Sequence, residues 1–109
     1  MTSLQSKLQP IGAALAEIVP QTFHYWRPVQ TAPWLIWAED GENGLSADGQ
    51  KAEQGITGTA DYYTKQEYDP NVDAIQTAFD QLGLAWYLSD VFYEDTTNLI
   101  HYSWTWEVC

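Results

Sequence analysis

Residues 100–109, Ile-His-Tyr-Ser-Trp-Thr-Trp-Glu-Val-Cys, alternate large apolar and polar side chains more strictly than any other stretch of the chain. Successive side chains on a strand point to opposite sides, so Ile100, Tyr102, Trp104, Trp106 and Val108 share one face and His101, Ser103, Thr105 and Glu107 the other. A strand with two indoles on one side needs that side covered, and it needs neighbouring strands to satisfy its backbone. The chain is thereby committed to a sheet with a covering layer and to some protection for the margins of that sheet.

The covering layer is legible upstream. Leu4, Leu8, Ile11, Leu15 and Ile18 recur at intervals of four and three, the apolar stripe of a helix. Thr2 or Ser3 is its N-cap and Pro20 marks its end. Pro10 falls inside the stripe and is expected to kink or divide the helix, because it lacks an N–H and its ring crowds the preceding turn. A second helix opens at Asp69-Pro70, with Asp as N-cap and Pro in the first turn. Val72, Ile75, Phe79 and Leu82 form its stripe, and Gly83 closes it.

Between and after the helices the pattern is that of strands. Residues 21–27 carry Thr22, Phe23, Tyr25 and Trp26 before Pro28, and residues 34–38 form a brief apolar run that reads as a mid-sheet strand buried on both faces. Residues 39–54, with Glu39, Asp40, Glu42, Asp48 and three glycines, read as a long acidic loop. Residues 56–65 resume strand character with Ile56, Ala60 and Tyr62 inward, and Gly55 and Gly58 allow a bulge there. Residues 84–93 form a strand with Trp86, Leu88 and Phe92 on its covered face, joined through residues 94–97 to the final strand. The order α-β-β-β-α-β-β predicts one α+β domain over residues 1–109, with two helices on a mostly antiparallel sheet of about five strands.

Charge excludes whole classes of partner. Fifteen acidic against four basic residues give a formal net charge of -11, which opposes approach to phosphate backbones and to anionic lipid surfaces. The basic residues, Lys7, Arg27, Lys51 and Lys65, are scattered, so no direct nucleic-acid binding is expected. No apolar stretch has the length of a membrane span, and residues 1–7 lack the pattern of a secretory leader. The single Cys109 cannot pair within the chain and suits a reducing compartment.

No signature of catalytic chemistry stands out in the sequence. Placing a calcium loop at Asp40 puts Leu45 where the turn glycine belongs and Lys51 where the bidentate acid belongs. His24 and His101 are the only histidines, too few for a zinc site, and Ser46 lacks the second glycine of a nucleophile elbow. No phosphate-cradling glycine pattern is present. The chain is therefore expected to be no enzyme and to carry no metal or cofactor. Core packing accounts for most of the six tryptophans, and any aromatic surplus over what one small core holds belongs at subunit contacts. Tyr25, Trp26, Tyr63 and Tyr68, with the acidic Glu39, Asp40 and Glu42, are the candidate interface. Carboxylates on a compact scaffold also permit an alternative role as a small acidic inhibitor or DNA mimic that binds a basic partner, although here they gather in residues 39–53 and at turns.

Several short strings in order, Ile18-Val19-Pro20, Trp26-Arg27-Pro28, Pro33-Trp34-Leu35-Ile36-Trp37, Asp61-Tyr62-Tyr63-Thr64-Lys65, Asp69-Pro70-Asn71 and His101-Tyr102-Ser103-Trp104, carry a resemblance over nearly the whole chain. The chain resembles the tail-completion or tail-terminator proteins of long-tailed bacteriophages. That resemblance implies a helix-covered sheet, a six-membered homo-oligomeric ring, and a structural role capping the tail tube and joining it to the head connector. It implies a virion protein assembled in the host cytoplasm, with tail-tube and head-connector proteins as partners. A ring of heterologous contacts would bury sheet edges and spare aromatics, while negative charge facing a central channel would keep passing DNA from sticking.

Overall fold

The computed structural model describes residues 3–28, 31–43 and 55–109. Helix α1 (Leu4–Ile18) is followed by strands β1 (Thr22–His24), β2 (Trp34–Asn43) and β3 (Gly55–Thr64), helix α2 (Pro70–Gln81), and strands β4 (Ala85–Glu94) and β5 (Leu99–Val108). This is the expected α+β order. The five strands form one sheet in the order β1-β2-β3-β5-β4, antiparallel except for the parallel pairing of β1 with β2.

The final strand does what its alternation requires. Trp104 and Trp106 are fully buried beneath the helices, while Tyr102 and Val108 pack at the rim of the core. Opposite them in register, Ala60 faces Trp104 and Gly58 faces Trp106. Gly58 is required there by space: a Cβ on it would lie 2.2 Å from the Trp106 ring and 2.4 Å from the Ala38 carbonyl oxygen. The indole is pinned in turn by its Nε1–H, which donates to the Thr59 carbonyl at 2.9 Å. The same face of the sheet presents Leu35, Trp37, Ile56 and Tyr62, and it is covered by Leu8, Ile11 and Leu15 of α1 and by Ile75 and Phe79 of α2. Side chains of this size removed from water are the main drive to fold.

Both helix starts follow from their capping residues. Ser3 accepts from the Ser6 N–H at 3.2 Å, and Asp69 accepts from the Asn71 N–H at 2.9 Å, with Pro70 in the first turn. Asp69 is buried, and its second carboxylate oxygen accepts from Tyr62 Oη at 2.6 Å and Thr64 Oγ1 at 2.7 Å, which ties α2 to β3. Burial pushes the Asp69 carboxyl up, but the hydrogen bonds from Tyr62, the Asn71 amide and Thr64 outweigh it and hold the group below its ordinary value. Burial, reinforced by the Asp69 carboxylate, pushes Tyr62 up to about 12.

Five expectations need correction. α1 is one continuous helix through Pro10, not a divided one, because the buried stripe on both sides of Pro10 packs on the same sheet face. β1 is only three residues long: at Tyr25 the backbone turns to a φ of 78°, which ends the extended run. Residues 39–43, expected to be loop, continue β2, because Glu39 to Asn43 pair with β3 from Gly58 to Gly55. Residues 44–54 of that loop lie outside the described residues. A bulge does occur near Gly58, but on β2 between Glu39 and Gly41 and not on β3. The fifth correction concerns β4: Trp86 packs against the core as expected, whereas Leu88 and Phe92 are exposed.

Candidate assembly surface

The face of the sheet opposite the helices carries one row of rings across four strands. The Arg27 guanidinium lies 4.2 Å from the centroid of Trp34, Trp34 stacks on Tyr63 at 4.9 Å, Tyr63 stacks on His101 at 4.2 Å, and Phe92 meets His101 edge-on at 4.7 Å. The row exists because Trp34, Tyr63, His101 and Phe92 are direct cross-strand partners, and partners in register project to the same side. His101 Nε2 pairs with Asp61 Oδ1 at 2.8 Å, which fixes the ring. Two buried polar atoms have no hydrogen-bond partner among the described residues: Nδ1 of His101 and Nε1 of Trp34. At the Trp34 end the row walls a concavity of about 820 Å³, shared by Arg27, Lys65, Tyr63, Glu94 and Leu99.

The edge strand β4 is the largest unpartnered element. Among the described residues it pairs only with β5, so one side of a ten-residue backbone is left without a ladder partner there. Between Leu88 and Asp90 the register with β5 shifts. This bulge reverses which side chains face the helices: Trp86 and Leu88 lie opposite Trp106 and Trp104, whereas beyond it Val91 and Tyr93 lie opposite Tyr102 and Ile100. Phe92 is thereby turned onto the open face beside His101. Tyr87, Leu88, Val91, Phe92 and Tyr93 are each between 41% and 61% exposed, a run of bulky apolar side chains that an isolated soluble domain has no reason to display along an open edge.

The other margin of the sheet gathers five of the seven residues expected at an interface. Tyr25 and Trp26 follow β1 and are 55% and 70% exposed, and Tyr25 reaches Glu39 on β2, the strand that also carries Asp40 and Glu42. β1 pairs with β2 only from Leu35 to Trp37, so β2 from Ala38 to Asn43 has no outer strand among the described residues. His24 Nε2 sits 2.6 Å from Glu39 Oε1, its ring stacks on Trp37 at 4.1 Å and on Tyr25 at 4.3 Å, and Tyr25 Oη donates to the Glu39 carbonyl at 3.2 Å. Burial pushes Glu39 up, but hydrogen bonding by His24 and Tyr25 leaves it below the usual carboxylate range. The strained φ of Tyr25 is held by these contacts. Asp40 accepts from Thr57 Oγ1 at 2.8 Å.

The remaining two candidates lie apart. Tyr63 is the centre of the ring row and is half-buried, and Tyr68, 88% exposed with a φ of 56°, stands on the turn before α2. Tyr87, Leu88, Val91, Phe92 and Tyr93 were not singled out from sequence. The available signal was Asp90: carrying the Trp86, Leu88 alternation forward points that carboxylate at the covered face, a conflict that a bulge resolves. Among the described residues no group of three His, Cys, Asp or Glu could hold a metal ion, and no helix is long and apolar enough to cross a membrane.

No protein-family model matches the chain, and no curated protein does. Among solved structures it is similar to a chain of the "Virion of native gene transfer agent (GTA) particle". The two superpose with a TM-score of 0.56 at 14% identity, over 96% of this chain and 92% of the other, a likeness of fold along almost the full length of both.

Proposed function

We infer that the chain is a structural subunit of a phage-like virion, and specifically a tail-completion or tail-terminator protein that caps the tail tube and meets the head connector as an oligomeric ring, a hexamer on the resemblance of its sequence strings. The observation that carries this reading is β4: a full-length edge strand with five bulky apolar side chains exposed is a surface to be covered by another polypeptide. The fold shared with a virion chain and the order of the sequence strings support the same conclusion. A role by shape and not by chemistry agrees with a surface built of aromatic rows, strand edges and solvated acids. Its partners on this reading are further copies of itself, the tail tube and the connector, and its location is the virion.

The test is reconstitution. Purified chain is mixed with assembled tail-tube protein and followed by native mass spectrometry and electron microscopy of tube ends. A ring of defined copy number on the tube tip is the expected result. A chain that stays monomeric at high concentration and leaves tube ends bare refutes the reading.

A further inference from the structure

The molecule is polar along β2. Glu42 stands eight positions beyond Trp34, so at about 3.3 Å per strand residue the two lie at most about 26 Å apart. At one end two of the chain's four basic residues, Arg27 and Lys65, line the 820 Å³ concavity, together with Trp34, whose indole N–H is buried and has no acceptor among the described residues. Glu94 is the one acid on that wall among the described residues. At the other end, Asp40 and Glu42 are exposed on a stretch of β2 that pairs with β3 on one side and has no outer strand among the described residues, and Glu39 lies just before them. In a chain of net charge -11, a contact that sets its few cations against acids relieves the repulsion between copies.

We propose that neighbouring copies join head to tail, the acidic outer edge of β2 (Glu39, Asp40, Glu42) of one copy seating against the Arg27, Lys65 and Trp34 concavity of the next. The proposal rests on the ring reading and adds its polarity and its recognition chemistry. Two different patches meet, so the contact is heterologous. Repetition of such a contact generates a ring when the rotation closes, whereas a self-complementary patch stops at a dimer. The cations supply charge-assisted hydrogen bonds to carboxylates.

The direct test is zero-length carbodiimide coupling in a mixture of unlabelled and isotope-labelled chain, alone and with tail-tube protein. Hybrid peptides joining Lys65 of one copy to Glu39, Asp40 or Glu42 of another are expected. Arg27→Glu with Lys65→Glu, and separately Asp40→Lys with Glu42→Lys, should each weaken self-association by about tenfold or more, since like charges are then opposed. Mixing the two variants restores alternating contacts and should restore assembly, an outcome that a merely destabilised fold cannot produce. Raising ionic strength from roughly 0.05 to 0.5 M should weaken the wild-type contact. Rings that form without hybrid links at Lys65, or that ignore both charge reversals, overturn this inference and leave the ring reading intact. Absence of any multimer, even with tail-tube protein, overturns both.

Discussion

Replacing Asp69 by alanine removes a side chain that caps α2 and closes a buried hydrogen-bond cluster, and the cost can be worked from the geometry. The cap to the Asn71 amide contributes about 1 kcal/mol. The other carboxylate oxygen takes protons from Tyr62 Oη and Thr64 Oγ1, both in buried residues. Each loses its acceptor in the variant, at about 1 kcal/mol apiece, the lower part of the usual range because Asn71 still donates to Tyr62 and Thr64 still accepts from the Gln66 amide. The total is about 3 kcal/mol, a large share of the roughly 5–15 kcal/mol that holds a domain together. In a domain of this size that corresponds to a fall in Tm of roughly 10–15 °C. Asp69→Asn keeps one carbonyl oxygen, enough for the cap or for the hydroxyls but not both, so it should fall between wild type and Asp69→Ala. Urea unfolding monitored by tryptophan fluorescence measures all three proteins, with equal m-values as the check that the unfolded state is unchanged.

The same residue sets a pH dependence with a definite sign. The Asp69 carboxyl is held below its ordinary value of 3.8, so the folded state favours its ionised form. The stabilisation this supplies is fully present above the unfolded-state value and is lost as the pH falls from about 4 through the lower folded-state value. The gap between wild type and Asp69→Ala should therefore be widest near neutrality and should narrow in acid. A gap below about 0.5 kcal/mol at pH 7, the noise level of an ordinary surface substitution, refutes the buried-cluster account. A gap of full size that does not narrow in acid refutes the electrostatic part alone.

Three further outcomes follow from the structure. Gly58→Ala in most strands would be neutral or helpful, but here the new Cβ meets the pinned Trp106 ring and the Ala38 carbonyl, so a loss of about 1–3 kcal/mol is expected in a chemical melt. Pro10→Ala restores a backbone donor in an exposed position of a continuous helix and should raise stability by about 1–3 kcal/mol, read as a higher urea midpoint. Val91→Lys, at an exposed place on β4, should change monomer stability by no more than about 0.5 kcal/mol and abolish ring formation on tail-tube ends, a separation that calorimetry and native mass spectrometry can each check.

Much of the fold was written locally. The 3.6-residue stripes of Leu8, Ile11 and Leu15 and of Ile75 and Phe79, the Asp69-Pro70 start, and the two-residue period through Trp104 and Trp106 each depend on near neighbours in the chain, so they were legible as α+β before any tertiary contact was known. What failed did so where a distant segment decides. Glu39 to Asn43 have loop composition but become strand because β3 offers backbone partners, and cross-strand hydrogen bonds join residues far apart in sequence. The reversal of side chains at Ser89 is set by the register of β5 against β4, and register cannot be read from one strand alone.

The candidate site divides along the same line. Composition and strand pattern singled out Tyr25, Trp26, Glu39, Asp40 and Glu42 as expected contact residues, and the structure leaves Tyr25 and Trp26 more than half exposed. Only the tertiary structure decided that Tyr63 is taken up in the row with Trp34 and His101, that Arg27 and Lys65, 38 positions apart, share one concavity, and that β4 is the edge left open. Periodicity tells which face of a strand is covered, because that is a property of neighbouring residues. Which strand stands at the margin is a property of the whole sheet, and in this protein the margin is where the apolar surface lies.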